Sequence, residues 1–311
     1  VFSEKLARSG AQREVPVLGN PLHIVDVFAE APYGGNQLAV VLDAGDMSSD
    51  QMQKIALEMN YSETTFVTSD HEIKGGYPVR IFTPTLELPF AGHPTLGTAW
   101  VIRRHLAEGV PEALRLNLGV GQVPVRFEED AEGKELTWLS APPIELGSTF
   151  AAEQVAAALR LTPDDIDDRA PVQRVSAGIS VTIVPLRGLD ALRRSGLDLE
   201  AFAPLGPEGS LPVVYLFCPE ARSDKNDLSA RLFFDANGVR EDPATGSATA
   251  CLGSYLLEHE YFPGPEISLR IEQGYDINRP SLLLLRAREV DGLRKILVGG
   301  HVIPTASGQL L

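Results

Sequence analysis

Cysteine is nearly absent. Cys218 and Cys251 are the two thiols of a 311-residue chain, too few for a disulfide framework and not arranged as a CxxC pair. That usage fits a reducing compartment, and neither thiol has an activating neighbour in sequence, so both read as small buried hydrophobes. Positive charge is also scarce. Lys and Arg total 27 against 42 Asp and Glu, a formal net charge of −15 at pH 7. Nucleic-acid affinity rests largely on cations that neutralise phosphates, so no nucleic-acid partner is expected. The doublets Arg103–Arg104 and Arg193–Arg194 read as solvated helix faces.

No apolar run reaches the ~18 residues of a membrane span. The first twenty residues mix charges and lack an apolar core, so they do not read as a signal peptide. The expectation is a cytoplasmic protein with no membrane partner. HExxH, GxxxxGK and a complete GxGxxG are missing as well, since "GVGQVP" lacks the final glycine. Neither a metal nor a cofactor is expected.

What is present suits a soluble globular chain, with 44% hydrophobic and 22% charged residues. The β-rich runs "LHIVDVF" (22–28) and "LAVVL" (38–42) precede a helix over 47–60, in which Met52, Ile55, Ala56 and Met59 recur at helical spacing. Strands are expected at 63–68 and 77–82. Then "LPFAGHPTLG" (88–97) opens a helix with Pro94 in its first turn and Gly109 as its stop. Three further strands lead to a Pro-rich break at 141–147, read as a linker. A helix over 150–161 and more strands come next, and "EDPATGSATACLG" opens another helix.

The two helix-opening loops repeat one plan. Phe82 lies ten residues before Gly92, and Phe234 lies twelve before Gly246. Each loop carries an acidic residue and ends small-Gly-polar, as Ala91-Gly92-His93 or Thr245-Gly246-Ser247. Two such matches in the same order imply pseudo-twofold halves. A helix N-terminus leaves N–H groups unpaired and favours negative charge, and glycine there admits a ligand close to the backbone. Two facing termini suit a small carboxylate-bearing metabolite.

Around these glycines the candidates are His93, Asp242 and Ser247. Each also has a bland reading, as a core histidine, a turn residue before Pro243 and an ordinary N-cap. Glu63, in "NYSETTFV", is either a surface glutamate or an acid lodged among apolar neighbours. The second case would raise its pKa and let it take and return a proton near neutrality.

The strings "GGNQLAVVLD", "YSETTFV", "IFTPTLELPFAGHPTLG", "GVREDPATGSATA" and "IEQGYDINRPS" occur in this order from about residue 22 to the end. Together they resemble the PhzF family of phenazine-biosynthesis isomerase-like proteins. The resemblance implies the α+β diaminopimelate epimerase-like fold: two pseudo-symmetric halves, each a curled, mainly antiparallel sheet around a central helix, with the site in the cleft between them. The expected division is an extension over 1–21, a first half over 22–140 plus about 296–311, and a second half over 141–295. A homodimer is implied too.

Carried over by motif, Glu63 matches the family's proton-shuttling glutamate, and His93 and Asp242 match polar residues around it. Ser247, with the Gly92 and Gly246 backbones, matches the substrate-holding positions. The epimerase branch of the fold places a thiol before each helix-opening glycine, where this chain has Ala91 and Thr245. Two-thiol racemisation is therefore not expected. The leading expectation is a cofactor-independent isomerase using Glu63. The alternatives are a hydrolase built on Ser247, His93 and Asp242, although no G-x-S-x-G elbow accompanies Ser247, and a metabolite-binding or interaction protein without turnover.

Overall fold

A computed structural model describes residues 19–202, 213–236 and 239–311. Most of the expected N-terminal extension, up to residue 18, lies outside the described residues.

Strand Asn20–Val27 pairs antiparallel with Asn36–Val41, which runs parallel to Glu63–Val67. Glu63–Val67 turns back into Tyr77–Phe82, which lies parallel to Ala113–Leu118. An antiparallel meander through Gly121–Glu129 and Glu135–Ser140 completes this run. The same succession then recurs. Val172–Ser176 pairs antiparallel with Ser180–Pro185, which is parallel to Val213–Cys218. Leu228–Ala236 is next and antiparallel, then Glu266–Gln273 parallel, then Ser281–Val290 and Leu293–Gly300 antiparallel.

Each run borrows one strand. Val172–Ser176 is flanked by Glu145–Phe150, and Asn20–Val27 by the last strand, Val302–Leu310. The terminal members, Glu135–Ser140 and Leu293–Gly300, pair with each other and join the runs. This is the α+β, epimerase-like architecture of curled mixed sheets with few helices.

One helix fills each curl. Gly92–His105 packs on the strands of the first run, and Gly246–Glu258 on those of the second. Both are buried nearly all round: every residue from Gly92 to Ile102, and all but Ser247 from Gly246 to Leu256. A helix enclosed this way needs apolar and small residues on every face, as "TLGTAWVI" and "ATACLGSYL" supply. Outside the curl, Ser49–Met59 starts on a reciprocal cap between Ser48 and Gln51.

Several sequence expectations shift. The first central helix ends at His105, and Gly109 sits beyond it in a turn at φ +71°. The Pro-rich stretch is not all linker, because the flanking strand begins at Glu145. The helix after it covers Ala152–Ala158 only. Arg103 is not solvated; it lies 4.4 Å over Phe127, pairs with Glu135 and donates to the Pro111 carbonyl. Among the described residues no helix is long and apolar enough to cross a membrane.

Candidate active site

The two central helices meet N-terminus to N-terminus. A Cβ on Gly92 would fall 3.0 Å from the Ser247 nitrogen and 3.2 Å from the Gly246 Cα. A Cβ there would force the facing backbone to give by a few tenths of an ångström. Ala91 and Thr245 are the cap residues, and neither side chain caps its helix. The first N–H groups of both helices are thus left for other partners, and Pro94 has none to offer. Ser247 is the second residue of its helix, not its cap, and its hydroxyl makes no hydrogen bond among the described residues.

Strand Glu63–Val67 brings Glu63 against the first terminus. The Glu63 Oε2 and His93 Nε2 atoms lie 3.3 Å apart, with side chains 15% and 6% exposed. They are not aligned for a hydrogen bond, so both atoms are buried without a partner. An unpaired buried polar atom costs about 1–3 kcal/mol, and such a cost is repaid when a ligand supplies the partner.

On the other ring nitrogen, Asn36 brings its amide to 3.3 Å from His93 Nδ1. The same amide donates to Asp242 Oδ1 and to the Ala244 carbonyl, both at 2.9 Å. Asp242 also accepts from Ser62 at 3.4 Å and, in a short contact, from the Thr245 hydroxyl. Gln273 closes the far side, donating to the Asp242 carbonyl at 2.9 Å and to Thr245 Oγ1 at 3.1 Å. Glu63, His93, Asp242, Thr245 and the two glycines therefore converge on one locus. Since His93 faces Glu63 and Asn36, the Ser247–His93–Asp242 relay of a hydrolase is not formed.

Electrostatics separates the three titratable groups. Burial, helped by the nearby charge of Asp242, raises Glu63 to about 8. Burial also raises Asp242, to about 6, against the pull of hydrogen bonds from Thr245, Asn36 and Ser62. His93 is lowered to about 3 by burial, with partial relief from a Gln37 backbone contact. Near neutrality the glutamate holds a proton and the imidazole is neutral.

Sequence reasoning misses Asn36 and Gln273, although both stand inside resembling strings, "GGNQLAVVLD" and "IEQGYDINRPS". Nothing local marks an amide as a hub; Asn36 reaches partners 206 and 208 residues away, and Gln273 partners 31 and 28 residues away. An open cleft of about 490 Å³ beside Thr68, Arg80, Glu87 and Asn117 contains none of these groups. Among the buried side-chain atoms without a partner, Glu63 Oε2 and His93 Nε2 face each other at the first helix terminus. Among the described residues no group of three or more His, Cys, Asp or Glu is placed to hold a metal ion.

A family model described as "phenazine biosynthesis-like protein" matches residues 25–308. A trans-2,3-dihydro-3-hydroxyanthranilate isomerase of Pseudomonas aeruginosa is 36% identical over 288 residues, covering 92% of this chain and 97% of the relative. A PhzF-family protein of Bacillus anthracis superposes with a TM-score of 0.85 at 26% identity, over 94% of this chain and 99% of its own. A probable proline racemase of Agrobacterium radiobacter shares the fold alone, with a TM-score of 0.59 at 11% identity over 94% and 93% of the two chains. Ala91 and Thr245, neither of them a thiol, are the cap residues just before the two glycines that meet at the juncture of the central helices. The chain belongs to the phenazine biosynthesis-like family, PhzC-PhzF, and is an isomerase of that family.

Proposed function

We propose that the protein moves a proton between carbons of a small carboxylate-bearing metabolite, without a cofactor, with Glu63 as base and then as acid. The observation that carries this reading is the pair of buried, unpartnered atoms, Glu63 Oε2 and His93 Nε2, 3.3 Å apart. A substrate C–H that meets ionised Glu63 gives up its proton, and the resulting Glu63 carboxylic acid returns it to a second carbon of the same molecule. A positioned acid–base group of this kind contributes about 10²–10⁴ in rate. Neutral His93 hydrogen-bonds the developing polar atom, and Asp242 holds His93 through Asn36. The unpaired N–H groups at the Gly92 and Gly246 termini take the substrate carboxylate, each helix adding about 0.3–1 kcal/mol.

The relatives' named substrate, trans-2,3-dihydro-3-hydroxyanthranilate, carries a carboxylate and is the first compound to test. Incubated with the protein in D₂O, it should give a double-bond isomer bearing deuterium, and Glu63→Gln should lose both turnover and exchange. A Glu63→Gln protein with parental turnover would remove the mechanism. A homodimer in the cytoplasm belongs to the same reading, and sedimentation equilibrium at micromolar concentration tests the dimer.

A further inference from the structure

The arm that delivers each central helix is built from the same parts. In the first, Phe82 pairs with Glu87 and Ile81 with Leu88; in the second, Phe233 pairs with Glu241 and Leu232 with Asp242. The pairing makes Phe233, not Phe234, the counterpart of Phe82, with a longer loop between aromatic and acid in the second arm. An arginine two residues before each aromatic grips that acid with two hydrogen bonds. Arg80 reaches Glu87 at 2.7 and 2.6 Å, and Arg231 reaches Glu241 at 2.9 and 2.7 Å. Each guanidinium also lies over its own aromatic ring, at 5.0 and 4.6 Å. The shared pattern is R-x-F … E-x-P-x-x-G, ending on Gly92 and Gly246.

The forks differ in burial and in the residue just after the acid. Glu87 is succeeded by Leu88, which has no part in the acid–base cluster; Glu241 is succeeded by Asp242, which anchors it. Side-chain exposure is 31% and 42% for the first pair against 11% and 7% for the second. Both arms are also tied to a helix outside the curls: Arg231 donates to the carbonyls of Leu192 and Ser195, at 3.1 and 3.0 Å, at the end of helix Leu189–Arg194, and Arg80 donates to Ser49 Oγ, at 2.9 Å, at the start of helix Ser49–Met59. A bidentate Arg–carboxylate pair fixes angle as well as distance.

We infer that the Arg231–Glu241 fork is a positioning device for the active site: it sets Asp242, and through Asn36 the ring of His93, whereas the equivalent Arg80–Glu87 fork holds structure only. This rests on the proposed function for its kinetic readout but not for its spectroscopic one. The matched variants are Glu241→Gln and Glu87→Gln, which keep side-chain volume and one acceptor, with Arg231→Lys and Arg80→Lys as second members.

Two readouts are made on the full chain. With trans-2,3-dihydro-3-hydroxyanthranilate, Glu241→Gln should lower kcat by at least tenfold with KM within about threefold, and Glu87→Gln should leave kcat within about twofold. In ¹⁵N-histidine spectra, with His93 assigned through His93→Asn, the ring nitrogens of His93 should shift in Glu241→Gln and stay in place in Glu87→Gln. If the compound is not turned over, the proposed substrate fails and the histidine spectrum alone decides the fork. A folded Glu241→Gln protein with parental His93 resonances would overturn the inference, as would equal effects from the two acids. If Glu241→Gln does not fold, Arg231→Lys, which keeps the charge and loses the fork, takes its place under the same two outcomes.

Discussion

The two helix-opening arms are built alike as backbone and are opposite in chemistry. Each carries an arginine–glutamate fork, a proline, a cap residue that does not cap, and a glycine opening a buried helix. Between glutamate and proline the first arm has Leu88 and the second Asp242. One residue past the glycine, the first has His93 and the second Ser247. The strand partners diverge in the same way: Glu63 opens one strand, and Val213 opens its counterpart. The fold repeats and the charges do not. A pair of equivalent thiols would use the pseudo-symmetry directly; here a single acid and a single imidazole from the first run meet a single aspartate from the second. In the proposed mechanism, that one-sidedness turns a symmetric cleft into a proton shuttle with one base.

The comparison can be broken most strongly at Glu63. Glu63→Gln should reduce turnover by about 10²–10⁴, whereas Val213→Gln, at the opposite strand, should leave chemistry intact. With Glu63 raised to about 8, kcat/KM of the parent should climb from pH 6 and level off above pH 8, because the base is the ionised form.

The same shift predicts a stability effect. Glu63 keeps its proton in the folded protein up to about pH 8, but in the unfolded chain it loses it near 4.5. Folding stability therefore falls as pH rises through that window, by a few kcal/mol at ~1.4 kcal/mol per pKa unit. Glu63→Gln should melt higher than the parent at pH 9 and nearly with it at pH 4. Equal melting shifts at both pH values would show that Glu63 is not held neutral.

Next in size is the glycine pair. In Gly92→Ala the new methyl meets backbone, the Ser247 nitrogen at 3.0 Å and Gly246 at 3.2 Å, so the helix must move. In Gly246→Ala it meets chiefly the edge of the Phe28 ring, at 3.2 Å. Overpacking costs about 1–3 kcal/mol, and Gly92→Ala should sit at the upper end and lose more activity. Denaturant midpoints of the two variants measure the difference.

Smallest is the buried hydroxyl tie between strand and helix in each run. Thr65 pairs with Thr98 at 2.7 Å, and Tyr215 at the equivalent strand position pairs with Thr249 at 3.1 Å. Thr98→Val and Tyr215→Phe should each cost about 1 kcal/mol in urea denaturation without changing kcat. A kcat effect of Tyr215→Phe alone would extend the site into the second run.

Much of this is legible in the chain. Alternating and helical periodicities locate most strands and both central helices, since burial of one face leaves a period of 2 or 3.6 in the residues themselves. The helix-opening glycines stand out as a repeated small-Gly-polar string, and at Gly92 a Cβ would press on the facing backbone. The two cysteines read as buried, and Cys218 and Cys251 are both free and buried. The sequence match of the arms is off by one residue at Phe234, because loop length hides register until strand pairing is seen. Arg103 reads wrongly as solvated, since a charged residue late in a helix gives no sign of its partner across the sheet, Glu135. Asn36 and Gln273 are illegible for the same reason: an amide's role lies in what it reaches.

The sequence by itself determined the family, the repeated arms and the identity of the one acid proposed to shuttle a proton, because these depend on residue type, order and short spacing. Only the tertiary structure decided that Glu63 is desolvated beside Asp242, that His93 is neutral, and that Asn36 ties the two runs together. Those properties come from low local dielectric and from contacts between residues far apart in the chain, and neither exists until the sheets close around their helices.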